Sequence, residues 1–355
     1  MRDIVVLIFL LACIVAAFKR PWLGVLALAV FTYMNPHRYA WGFITAAPVY
    51  LALFMAVFAA FMLNWQQRQA LPRDWRVPVF IMLWSWYLVT TLDAAVPFYA
   101  REKLIDVSKV YLPLLLTLWL IDSREKLFFL IATIAGSIGL VAIKGGLFSV
   151  ATGFSYRVYG PDGTQFADNN AFGLATLIIV PLFVLLLREV NDRRLKIALM
   201  AAITLLFASA LSSHSRGALV TMGVLVPILL WHSKRKWLAA PILVIGVMVA
   251  MYNLPDHWFA RMATIETYQE DQSAMGRIEV WADGINYALR NPITGAGFDG
   301  WRWVTQRDWH SAYVEALAEH GFIGFGLWAS LLFGSILSLT KLPRRTQHIP
   351  ELRWV

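Results

Sequence analysis

The sequence predicts an all-α, polytopic transmembrane helical bundle, and three observations predict it. Apolar residues make up 59% of the 355 residues and charged residues 15%. Mean hydropathy is +0.60. An ordinary soluble domain is about 45–50% apolar and about 25% charged, so a water-soluble globule of this composition would keep apolar surface it could not bury. The third observation is that the apolar runs recur at lengths near the roughly 20 residues a helix needs to cross hydrocarbon. A cytosolic enzyme, a disordered chain and a secreted disulfide scaffold are excluded. Cys13 is the single cysteine and lies inside the first apolar run, so no intrachain disulfide can form.

Eleven candidate spans follow in order: 4–18, 21–34, 43–63, 77–92, 107–121, 127–143, 170–187, 197–212, 217–231, 237–253 and 311–340. The first has the length of a signal peptide. However, Arg2-Asp3 supplies no net positive leader, and the chain re-enters the membrane directly after Lys19-Arg20-Pro21. Lys and Arg divide 18 to 13 between alternate loops. The heavier side, which holds Lys19, Arg20, Arg124, Lys126, Arg193, Arg194 and the tail from Lys341, is assigned to the cytoplasm because basic loops stay inside. The other side, periplasmic in a Gram-negative cell, then carries 35–42, 93–106, 144–169, 213–216 and the long segment 254–310. This parity counts 4–18 and 21–34 as two crossings.

The expected organisation is ten transmembrane helices in 1–253, one long periplasmic loop at 254–310, a last helix at 311–340 and a basic cytoplasmic tail at 341–355. Within the loop, Ser273 is a plausible N-cap for a surface helix at about 273–290. Its apolar stripe is Ile278, Trp281, Ile285 and Leu289. The net charge of +9 does not imply a nucleic-acid partner, since no basic run is long enough to track phosphates.

The unusual polar residues gather on the outer face: Asp168-Asn169-Asn170, His214-Ser215-Arg216-Gly217, and the long loop ending at His310. No span has a carboxylate near its middle, where an ion-coupled transporter usually needs one. Gly295-x-Gly297-x-x-Gly300 matches a dinucleotide fingerprint literally, but a helix precedes it where a strand is required. These glycines are expected to make a tight turn. The histidines and carboxylates form no metal-ligand spacing, so no metal is expected. Any phosphate bound on this face falls to arginine, whose planar fork donates two parallel hydrogen bonds and keeps its charge. Taken singly, Arg216 and Arg277 suit lipid head-group contacts, and His310 suits a structural hydrogen bond.

Read in order, four motifs resemble the O-antigen ligase superfamily, which includes O-linked oligosaccharyltransferases and O-antigen polymerases. They are Ser215-Arg216-Gly217-Ala218; Gly276-Arg277-x-x-x-Trp281; Asn291-Pro292-x-x-Gly295-x-Gly297-Phe298; and His310-Ser311 followed by Glu319-x-Gly321-x-x-Gly324. Met34-Asn35-Pro36-His37-Arg38 and Trp41-Gly42 further resemble the O-glycosylation ligases associated with exosortase systems.

The resemblance implies a multi-pass protein of the bacterial inner membrane, an inverting glycosyltransferase with its active site on the periplasmic side. It would move a glycan from a polyprenyl-diphosphate donor to an acceptor hydroxyl on protein, lipid or glycan, without metal, nucleotide or other cofactor. The family's two arginines and histidine fall on Arg216, Arg277 and His310. The arginines would bind the diphosphate, and His310 would act as general base or orient the acceptor; the three are expected to converge beneath the outer loop. Members of the family continue with further spans, so this chain, which stops at Val355, is expected to be either naturally short or truncated.

Other residues carry two readings each. Asn169 and Asn170 either bond sugar hydroxyls or cap the helix they enter. Arg261 and Lys144 are extra basic ligands or exposed loop charges. Trp301, Trp303 and Trp309 are sugar platforms or interfacial anchors. On a continuous helix Glu319 lies nine residues and about 180° from His310; with Gly321 it is therefore expected to shape the helix rather than orient the imidazole. A polymerase that joins glycan repeats and a transporter of lipid-linked glycans are the alternative functions.

Overall fold

The computed structural model of the chain describes residues 1–65, 70–233, 248, 251–263 and 272–346. Among these the secondary structure is helical: α1 (Arg2–Lys19), α2 (Pro21–Tyr33), α3 (Val49–Leu63), α4 (Arg76–Leu92), α5 (Pro97–Leu120), α6 (Arg124–Ala151), α7 (Asn169–Glu189), α8 (Arg193–Ser212), α9 (Arg216–Trp231), α10 (Asp256–Ala263), α11 (Gln272–Arg290), α12 (Trp301–Val304) and α13 (Ala312–Thr346). Four of them, α6, α7, α8 and α13 up to Leu342, are long and apolar enough to cross a membrane; α2, α3, α4 and α9 are shorter apolar helices. The expected span 237–253 lies largely outside the described residues, as does most of the tail 341–355.

The chain divides into two compact units, residues 1–69 with 119–266 and residues 70–118 with 267–355. In the first unit α6, α7 and α8 enclose a core that includes Ala135, Ile138, Phe172, Ile179, Phe183 and Leu206. Small residues set the spacing. A Cβ on Gly139 would lie 2.6 Å from Phe183, and one on Gly146 would collide with the Leu205 carbonyl oxygen. This is the close backbone approach that small residues permit between apolar helices. α6 continues to Ala151, through residues expected to be loop, with Gly145 and Gly146 on its buried side and Lys144 exposed. At the N-terminus the Asp3 carboxylate accepts from Gly42 N at 3.0 Å and Ile44 N at 3.3 Å, which fastens the loop after α2 to the start of α1.

In the second unit α4 and α13 share a core of Leu83, Tyr87 and Phe298 with Leu327, Trp328 and Leu331 packed against it. Here α5 starts at Pro97, ten residues before the expected span. Arg101, Glu102, Lys103 and Asp106 dilute the hydropathy of this turn, while Arg, Glu and Lys are good helix formers. Polarity had concealed a helix that propensity sustains.

α11 packs by a face the hydropathy pattern did not pick out. Val280 and Ala288 are buried, whereas Ile278, Ile285 and Leu289 are exposed. A Cβ on Gly284, on the buried face, would lie 2.7 Å from Val314 and 2.8 Å from the Trp309 ring. Bulk dominates a hydropathy stripe, but close packing here selects the small residues one position round the helix.

α13 is interrupted at Gly321, which has φ 63° and ψ −172°. The interruption is filled from outside the helix. Ala296 N donates to Ala318 O and Gly297 N to Glu319 O, both at 2.8 Å, while Phe322 N donates to Pro292 O at 2.8 Å. Trp86 Nε1 donates to His320 O at 2.9 Å. Three successive carbonyls at the end of the first half of α13 are thus capped by the 292–297 turn and by α4, as unsatisfied helix-end carbonyls require. Gly295 and Gly297 take left-handed φ values of 65° and 74°, the tight turn expected from their spacing.

Candidate functional site

Arg216 belongs to the first unit, where it opens α9 after a buried turn. Ser212, Ser213, His214 and Ser215 are all buried. His214 takes a left-handed φ of 50°, and its Nε2 lies 3.3 Å from Phe154 O. Ser215 Oγ caps α9 by accepting from Ala218 N at 3.2 Å. The turn is held from below by Asn169, whose Nδ2 donates to Ser213 O at 2.7 Å. Beside it a Cβ on Gly173 would lie 2.6 Å from Ser213 Oγ. The guanidinium of Arg216 therefore springs from a fixed backbone at a helix N-terminus, where the macrodipole favours an anion.

The Asp168-Asn169-Asn170 segment separates into distinct roles. Asp168 caps α7 through Asn170 N at 2.8 Å and Ala171 N at 3.2 Å. Asn169 is buried and braces the turn before Arg216, and Asn170 is exposed. Arg261 lies on α10, which packs through Trp258 and Met262 against Phe154, Leu211 and Leu219. Trp258 Nε1 donates to Leu211 O at 3.2 Å. Lys144 is exposed on α6 rather than in a loop.

Arg277 and His310 belong to the second unit. Arg277 is exposed on the first turns of α11. Its position shares the helix face of Val280, Gly284 and Ala288, the face that packs against Trp309 and Val314. His310 precedes α13 instead of starting it: the helix begins at Ala312, and His310 is an exposed residue at φ 49°. Its N–H is directed at Asp308 Oδ1, 3.4 Å away.

The two residues are linked through their neighbours. Trp281, one turn after Arg277, donates its indole N–H to Trp309 O at 2.8 Å, and Trp309 is the residue before His310. Arg307 adds a further cation: its Nη1 lies 3.8 Å from Glu279 Oε2 and 3.4 Å from a Cβ placed on Gly276.

The tryptophans of this region differ. Trp303 is 67% exposed, whereas Trp309 is 0% exposed, so Trp309 is neither a sugar platform nor a membrane anchor. Its Nε1 donates to Glu319 Oε1 at 2.9 Å. Glu319 thus meets the residue before His310 and not the imidazole itself: His310 lies ahead of α13, which begins at Ala312, and its left-handed backbone lets Trp309 pack against Ala318. Sequence reading also passed over His320, which is buried with its Nδ1 2.9 Å from Thr90 Oγ1 and its ring against Tyr87 and Phe298. Its neighbour Gly321 was the only sequence signal for it. Among the described residues no group of three or more His, Cys, Asp or Glu is placed to hold a metal ion.

The apolar helices define an integral-membrane class of protein. The chain belongs to the family described as a family of unknown function (DUF5935), which matches residues 1–191. Residues 201–329 match the family described as O-antigen ligase. That second match contains Arg216, Arg277, His310, Glu319 and Gly321, and it supports the O-antigen ligase superfamily and a membrane glycan-transfer function. No curated protein and no solved structure matches the chain.

Proposed function

We propose that this protein is an inverting glycosyltransferase of the bacterial inner membrane that moves a glycan from a polyprenyl-diphosphate donor to an acceptor hydroxyl at the periplasmic face. The observation that carries the proposal is the O-antigen ligase match over residues 201–329, the segment that holds Arg216, Arg277 and His310. In this reading the acceptor oxygen attacks the anomeric carbon as the bond to the diphosphate breaks. The leaving diphosphate takes the electron pair, and the acceptor proton passes to the His310 imidazole. Arg216 and Arg277 stabilise the departing diphosphate, where preorganised donors are worth most. The sugar already carries a good leaving group, so the step needs no nucleotide, and guanidinium charge serves where other transferases use a metal. The acceptor is a hydroxyl of a protein, lipid or glycan.

The test is transfer by purified protein from a polyprenyl-diphosphate glycan, with products identified by mass. His310→Ala is expected to lower turnover by about 10²–10⁴ while donor binding persists; unchanged transfer removes His310 from the chemistry. Glycan repeats joined to one another would make the enzyme a polymerase. Donor crossing liposomes without any acceptor product would make it a transporter.

A further inference from the structure

We propose that Glu319 and Trp309 are positioning residues for His310: the buried hydrogen bond between them holds the left-handed turn that presents the imidazole. The inference rests on the functional reading above for its activity readout, but the geometry stands within the second unit alone.

His310 has φ 49°, a region that non-glycine residues rarely enter. Such a conformation costs on the order of 1–3 kcal/mol and persists only where its surroundings over-determine it. Trp309 supplies that constraint on its N-terminal side. Its indole lies in a cluster with Val280, Val314 and Ala318, and Gly284 gives its ring room. Its side chain donates to Glu319 Oε1 at 2.9 Å, and its carbonyl accepts from Trp281 Nε1 at 2.8 Å. Both the side chain and the backbone of the residue before His310 are thereby fixed, while His310 itself is exposed.

Glu319 is 1% exposed, a costly place for a carboxyl group. Its carboxylate meets the Trp309 indole and also the backbone N–H of Asp299, so it ties the residue before His310 to the turn that follows Gly297. Trp281, in turn, ties the helix that carries Arg277 to the same indole-bearing residue, so one clamp registers both side chains.

The experiment compares Trp309→Phe, Glu319→Leu, Glu319→Gln and the Trp309→Phe/Glu319→Leu double variant in the full chain. Trp309→Phe keeps a buried ring but no donor. Glu319→Leu keeps volume but no acceptor, and Glu319→Gln keeps an oxygen for the indole. A misplaced reacting group loses turnover rather than donor affinity. Trp309→Phe and Glu319→Leu should therefore each lower kcat about tenfold or more with donor KM within about twofold, and Glu319→Gln should stay within about threefold. The double variant should be no worse than the worse single one, because both remove the same contact. Unchanged kcat in Trp309→Phe, a loss confined to KM, or additive losses overturn the proposal.

A second readout needs no activity: the rate of His310 carbethoxylation by diethyl pyrocarbonate, followed by peptide mass. It should change by about threefold or more in Trp309→Phe and Glu319→Leu but not in Glu319→Gln, as a shifted histidine environment requires. Equal rates in all variants overturn the clamp. If the wild-type protein transfers no glycan, the functional reading fails while this second readout still decides the clamp.

Discussion

Gly321 holds a left-handed conformation at a point where any Cβ would collide with the carbonyl oxygen of Ile293. Gly326, five residues further along the same helix, has nothing within 4 Å of its Cβ position. The pair makes a controlled comparison. Gly321→Ala must pay for a strained backbone, on the order of 1–3 kcal/mol, and also displace the 292–297 turn. Gly326→Ala should be neutral or stabilising by about 0.5–1 kcal/mol, as helix-interior Gly-to-Ala changes are. Thermal unfolding in detergent should show a lower midpoint for the first and an equal or higher one for the second.

The diphosphate role proposed for Arg216 and Arg277 demands geometry as well as charge. Arg216→Lys and Arg277→Lys each retain a cation but lose the two-pronged fork, so turnover at saturating donor should fall by about 10²–10³ in each. Full turnover in either lysine variant would remove that arginine from the clamp.

Asn169 and Asn170 are adjacent but predict opposite outcomes. Asn169→Leu strips the donor from the Ser213 carbonyl in a buried turn, a loss of about 1–3 kcal/mol. It should also lower transfer by loosening the backbone that carries Arg216. Asn170→Ala, at an exposed site, should change stability by no more than about 0.5 kcal/mol. Melting midpoints of the two variants, with transfer rates at equal protein, check both statements.

At the entry to α4, Arg76 grips Asp74 with Nε to Oδ1 at 2.7 Å and Nη2 to Oδ2 at 2.8 Å. These hydrogen bonds hold the Asp74 carboxyl down at about 2. Because an unfolded aspartate titrates near ~3.9, the pair's contribution is complete above about pH 4 and is lost as the pH falls toward about 2. Both side chains are about a third exposed, so solvent limits the effect to about 0.2–1 kcal/mol. The stability gap between wild type and Asp74→Asn should therefore be present at neutral pH and close in acid, as followed by unfolding midpoints across that range.

The helical class was legible because apolar residues so outnumber charged ones that few other architectures could use them. Individual spans such as 170–187 and 197–212 fall inside α7 and α8, where long unbroken hydropathy leaves little choice. The early start of α5 was hidden because Arg101, Glu102 and Lys103 lower hydropathy without disfavouring a helix. The packed face of α11 was hidden because Gly284 and Ala288 contribute almost nothing to an apolar stripe yet permit the closest contact.

Motif order singled out Arg216, Arg277 and His310, whereas the contacts around each of them left no such signal. The Trp309–Glu319 bond depends on a left-handed residue between its two partners, and no periodicity reports one. Asn169 was noticed for its polarity, but its partner in the chain is the Ser213 carbonyl, a backbone atom that leaves no trace in side-chain patterns.

The break in α13 bears on how the protein is made. The carbonyls of residues 318–320 would each cost several kcal/mol if left bare in hydrocarbon. The partners of these three carbonyls, Ala296, Gly297 and Trp86, all precede Gly321 in the chain. Within a membrane, the first half of α13 is therefore expected to need the 292–297 turn and α4 in place before its carbonyls are satisfied.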